Sequence, residues 1–150
     1  MTTSGFWRRF AAYLIDILPI TLLVFGAFYI FFGFDEVMRL RNQYPGDPQV
    51  RAHFLSWRNH IRDMSFLIWI VYATITEGSR LQGTLGKKLM RLRVTDMEGN
   101  SLTVGRSIAR NLSKIVSLLP LGLGFVWAAF RRDRRAWHDL LAKTRLVHDV

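Results

Sequence analysis

Three uncharged apolar runs are set between polar and basic blocks: Ile17 to Phe34, Met64 to Thr76 and Ile115 to Phe130, with 18, 13 and 16 residues. The first extends back to Phe10. At ~1.5 Å per helical residue, a segment from Phe10 to Phe34 crosses a ~30 Å hydrocarbon layer with tilt. Trp7, Tyr13 and Tyr29 suit its interfaces. Pro19 removes one backbone bond inside it. The second run is short for a span. It crosses only if its helix extends over 61–79, with Arg62 and Arg80 snorkelling at the ends. "PLGLG" at Pro120 to Gly124 interrupts the third run, leaving either one broken span or a re-entrant pair of half-helices.

Between the runs the pattern changes. "QYPGDPQ" at Gln43 to Gln49 reads as a turn, followed by an amphipathic helix. Thr84 is placed to cap a short helix, Leu85 to Met90. "LRVT" and "SLTV" alternate around "DMEGN", the signal of a β-hairpin with Gly99-Asn100 at its tip, and "TRLVHDV" alternates as a third strand would. The expected architecture is an all-α integral membrane protein with two to three transmembrane helices and a small cytoplasmic β-hairpin. Its segments form one domain over 1–150: a first span at 10–34, an extracytoplasmic loop and helix at 35–60, a second span at 61–79, a turn and hairpin at 83–106, a third membrane segment at 107–130 and a basic tail at 131–150.

Charge adds an orientation. The net charge is +10 although half of the residues are hydrophobic. Lys and Arg number two in the N-terminus, five in the 35–63 loop, eight in the 77–114 stretch and six after Phe130. The five in the loop are offset by four acids. By the positive-inside rule the N-terminus, the 77–114 stretch and the tail face the cytoplasm, which requires an even number of crossings. The first run is too long for a signal-peptide core and no small-x-small cleavage site follows it, so it reads as a retained helix. With no cysteine, disulfides and thiol catalysis are excluded.

Four motifs stand in order: "RRFAAYLID" in the first run, "GTLGKKLMRLRV" after the second, "GRSIARNLSKIVSLLPLGLGF" through the third, and "RRAWHDLLAKT" in the tail. This arrangement resembles the RDD family of bacterial integral membrane proteins, named for one arginine and two aspartates. The resemblance implies that Arg9, Asp16 and Asp139 are those residues, Arg9 rather than Arg8 because it stands seven before the aspartate. It further implies a multi-pass protein of the bacterial inner membrane. The family is mostly uncharacterised, and a transport role, in some members cation/proton antiport, is the function commonly attached to it.

The candidate chemistry centres on Asp16, a carboxylate in an apolar segment. Arg9 lies two helical turns away and leans away from it, so the expected partner is Arg110 or Lys114, with Arg9 free to meet Asp139. Such a group serves either as a proton or cation site or as an interhelical ion-pair lock. Lys87, Lys88, Arg91 and Arg93, together with Arg131, Arg132, Arg134 and Arg135, are candidates to meet anionic headgroups. "WHDLL" reads as an amphipathic helix with Trp137 at the interface. "GTLGKKLM" lacks the phosphate-loop order, and the four histidines show no metal-ligand spacing. Neither a nucleophile–base pair nor a cofactor fingerprint is visible, so an enzyme and a cofactor are not expected. Basic blocks beside apolar runs point to membrane lipids rather than nucleic acid. Two function classes remain. One is cation or proton exchange through an intramembrane carboxylate, which needs an oligomer because so few spans cannot enclose a path. The other is a non-transporting accessory or assembly subunit, held in a homo-oligomer or larger membrane complex.

Overall fold

A computed structural model describes residues 4–118 and 135–148, the side chains of 116–118 excepted. The "PLGLG" break and Arg131, Arg132 and Arg134 lie outside the described residues. Among the described residues the chain is mostly helical with one small sheet. The elements are α1 (Phe6–Phe31), α2 (Phe34–Gln43), α3 (Pro48–Glu77), α4 (Leu85–Leu89), β1 (Leu92–Asp96), α5 (Val104–Leu118), α6 (Trp137–Leu141) and β2 (Thr144–His148).

α1 runs unbroken through Pro19 for 26 residues. Among the described residues it is the one helix long and apolar enough, by length and composition, to cross a membrane. Leu18, Leu22, Leu23, Ile30 and Phe31 on it are exposed. α3 joins the polar stretch after Pro48 to the whole second apolar run in one helix of 30 residues. Its start follows from "GDP". The Asp47 carboxylate accepts from Gln49 N–H at 2.7 Å and Val50 N–H at 3.3 Å. Pro48 then occupies the first helical position, where no donor is needed.

The described residues fall into two compact units. One comprises residues up to Asp16 and those from Ile70 onward; the other is Ile17–Trp69. In the Ile17–Trp69 unit, Val24, Phe34, Val37 and Ile61 form the core, with Phe28, Phe54 and Trp57 against it. Phe28 meets Trp57 edge-on, with ring centroids 5.9 Å apart. Gly33 turns the chain from α1 into α2 at φ 75°, in the left-handed region that favours glycine.

The other unit holds the sheet. β1 pairs antiparallel with β2, with Val94 opposite Leu146 and Thr95 opposite Arg145. Ala12, Leu92, Val94, Leu102 and Leu146 pack as its core. The expected hairpin is therefore corrected. The turn after β1 forms, with the Asp96 carboxylate accepting from Glu98 and Asn100 N–H at 3.0 and 2.8 Å. "SLTV" does not return as a strand. Thr103 accepts from the start of α5, its carbonyl from Ser107 N–H at 3.0 Å and its hydroxyl from Arg106 N–H at 3.4 Å. A threonine at a helix start competes with strand pairing by satisfying helix donors. The partner of β1 is instead "TRLVH", which had been expected only as an addition.

Candidate functional site, a buried ionic network

The first unit buries an unusual number of charges. Asp16, Glu77, Lys87, Arg110, Lys114 and Asp139 are all buried. Charges taken out of water must be paired and hydrogen-bonded to remain ionised, and the geometry shows how.

Arg110 stands at the centre with its side chain 1% exposed. Its Nε and Nη2 donate to Asp139 Oδ1 at 3.1 and 2.8 Å, and its Nη1 donates to Glu77 Oε2 at 2.5 Å. Arg9 reaches the same aspartate from α1, Nη1 donating to Oδ2 at 2.5 Å. Asp139 also accepts from Ala136 N–H at 3.2 Å, at the start of α6. One carboxylate thus ties α1, α5 and α6 together. Burial alone would raise the Asp139 carboxyl. The Arg9 and Arg110 guanidiniums outweigh it and hold the group well below the usual carboxylate range.

Glu77, the last residue of α3, is the second anchor. It accepts from Lys87 Nζ on one oxygen and from Arg110 and Asn111 on the other, Asn111 Nδ2 at 3.2 Å. Lys114 Nζ lies 3.5 Å from Glu77 and donates to Asn111 Oδ1. Burial lowers the Lys87 ammonium; Glu77 opposes this without restoring the ordinary value. Sequence reasoning missed Glu77. Its signal was available: an acid directly ending the second apolar run, where a boundary residue is easily taken for the start of a loop.

Asp16 does not meet Arg110 or Lys114, as had been expected. Its Oδ2 accepts from Thr84 Oγ1 at 2.5 Å and its Oδ1 from Gly86 N–H at 2.8 Å. The cause lies in α4. Thr84 caps this helix, accepting from Lys87 N–H at 3.4 Å, and so presents both its hydroxyl and the next free N–H to the same carboxylate. Gly86 permits the approach. A Cβ there would overlap the Ala12 carbonyl oxygen and stand 3.0 Å from Asp16 Cγ.

The basic residues of α5 divide. Ser107, Arg110, Asn111 and Lys114 are buried, whereas Arg106 is exposed and stands 3.5 Å from Asp96. The headgroup candidates divide too. Lys87 turns inward to Glu77, correcting its expected exposure. Its neighbours Lys88 and Arg91 are exposed, and Arg93 and Arg135 are half-buried. His138 and Asp139 both lie inside, His138 Nε2 3.4 Å from Asp139 Oδ1. "WHDLL" therefore buries polar groups rather than presenting them.

The sequence profile of the RDD family matches residues 3–143, nearly the whole chain. An uncharacterised protein of Bacillus subtilis (strain 168), YxaI, is 30% identical over 151 residues, covering 97% of each chain. No solved structure matches. The chain belongs to the RDD family.

Proposed function

We propose that this RDD-family chain is a multi-pass protein of the bacterial inner membrane, and that its Arg/Asp/Glu network locks helices together in a non-transporting accessory or assembly subunit. The observation that carries this reading is the saturation of the carboxylates. Asp139 accepts from two arginines and a backbone amide, Asp16 from a hydroxyl and a backbone amide, and Glu77 from Lys87, Arg110 and Asn111. A carrier carboxylate must exchange its partners for ion or proton in each cycle. Groups bound to several elements at once resist that exchange and favour one fixed arrangement. The membrane assignment is supported by α1, whose apolar surface is left exposed.

A second reading, cation or proton exchange by an oligomer, would use Asp16, whose carboxylate is held by the Thr84 hydroxyl and the Gly86 amide. Glu77 does not suit that role: Lys87, Arg110 and Lys114 gather around it, favour its ionised form and repel a further cation.

The deciding experiment reconstitutes the purified protein alone in liposomes and measures proton flux on adding Na⁺, K⁺ or Li⁺. Glu77→Gln and Asp16→Asn are run alongside, and insertion is checked for each. The lock reading expects no cation-dependent flux from correctly inserted protein. Flux that disappears in an inserted Asp16→Asn variant would replace the lock with the exchanger.

A further inference from the structure

Three short elements of the first unit are built inside out. α4 directs Lys87 inward and leaves Leu85 and Leu89 each 63% exposed, with Leu81 exposed just before it. α6 buries His138 and Asp139 and leaves Leu141 63% exposed. α5 buries Arg110 and its polar neighbours while Ile108 and Leu112 stay exposed. A helix on a water-soluble protein does the reverse, turning its apolar stripe to the core.

From this we infer that α4 and α6 are interfacial elements, with Leu81, Leu85, Leu89 and Leu141 seated in the lipid of an anionic phospholipid bilayer. The inference rests on the membrane reading above and extends it to segments that span nothing. Two observations identify lipid as the occupant. The same unit begins on the first half of α1, the membrane-length helix, and carries Trp7 there 76% exposed, as suits an interfacial aromatic. The leucines are also flanked by Arg80, Lys88 and Arg91, all exposed. Apolar side chains beside snorkelling cations form the face of a helix lying at the headgroup–acyl boundary.

This placement reaches the ionic network. α4 holds Asp16 through Thr84 and Gly86 and holds Glu77 through Lys87. Its outer face rests on lipid while its inner face fixes two carboxylates. Lifting α4 from the bilayer therefore loosens both.

The chain has no cysteine, so single-cysteine variants can be labelled with an environment-sensitive fluorophore. Leu85→Cys, Leu89→Cys and Leu141→Cys are compared in phosphatidylcholine–phosphatidylglycerol vesicles with Leu22→Cys on α1 and Gly46→Cys in the α2–α3 turn. The expected result is blue-shifted emission at 85, 89 and 141, quenching by a lipid-borne nitroxide, and loss of quenching by an aqueous ion. Lys88→Glu with Arg91→Glu should weaken the lipid quenching at 85. Aqueous quenching at 85, 89 and 141 with Leu22→Cys still in lipid overturns the inference and leaves the membrane reading intact. Aqueous quenching at Leu22→Cys as well overturns both. Protection from both quenchers, with cysteine cross-linking between chains, assigns the face to a second copy and also overturns the inference.

Discussion

At Asp139 three elements meet on one carboxylate, so its charge carries more of the structure than that of any exposed acid. Asp139→Asn keeps the shape and removes the charge, leaving the buried Arg110 and the half-buried Arg9 without their shared counter-ion. Breaking a buried pair by removing one partner costs about 3–5 kcal/mol. The expected outcome is a large drop in thermal midpoint in detergent. Asp63→Asn, at an acid exposed with its Arg62 partner, should change it little, since exposed pairs contribute about 0–1 kcal/mol. Equal midpoints for the two variants would remove Asp139 from the lock. His138 adds a pH dependence. Burial pushes its imidazole down to about 3; Arg110, Lys114 and Arg9 push the same way and Asp139 opposes. An unfolded chain protonates this residue near the ordinary 6.5. Between these values the unfolded state binds the extra proton, so stability is full above about 6.5 and falls on acidification, with a slope of about 1 kcal/mol per pH unit. The depressed carboxyl of Asp139 has the same sign, but its loss begins only below the ordinary aspartate value. Chemical unfolding from pH 7 to pH 4 should therefore show the slope in the wild type and a flatter profile in His138→Gln.

Elements were legible where periodicity decides and illegible where distant partners decide. α1 and the apolar half of α3 follow from uncharged runs, and the start of α3 from "GDP", all local signals. β1 was visible, but its partner stands some fifty residues on, and local alternation favoured the nearer "SLTV". For the site, Arg9, Asp16, Arg110 and Asp139 could be named as charges beside apolar segments. The meeting of Arg9 with Asp139 could be named as well; the partner of Asp16 could not be, because it depends on how α4 packs. Spacing gave no hint that Lys87 and Lys88 point opposite ways, or that Asp16 is held by a hydroxyl and an amide rather than by a cation. α4 also yields a prediction of its own. Gly86→Ala places a methyl group on the Ala12 carbonyl and must push α4 from α1, breaking both bonds to Asp16. Gly105→Ala, near the start of α5 with nothing within 4 Å of the added carbon, should instead stabilise by about 0.4–1 kcal/mol. Opposite shifts in thermal midpoint are expected. A neutral Gly86→Ala would mean that the close approach of α4 to α1 is not needed.

On the scale of the whole molecule, the distribution of charge sets the last expectation. The 35–63 segment carries five Lys/Arg, whereas the 77–114 segment carries eight. The segment richer in Lys/Arg near membrane helices stays on the cytoplasmic side. The turn at Pro45–Gly46 should therefore face outward and the turn at Glu98–Gly99 inward. With no native cysteine, Gly46→Cys and Glu98→Cys can be probed in intact cells with a membrane-impermeant thiol reagent. Gly46→Cys should label directly and Glu98→Cys only after permeabilisation. The reverse pattern would invert the protein without moving any contact in the network, and would show that basic residues drawn into the ionic core no longer count as topology signals. Lys87, Arg110 and Lys114 are three of the eight in that segment, and all three are spent on Glu77 and Asp139. Neutralising the exposed Arg80, Lys88 and Arg91 separates the two cases. If exposed charge alone sets orientation, this triple variant should scramble it while leaving the buried lock in place.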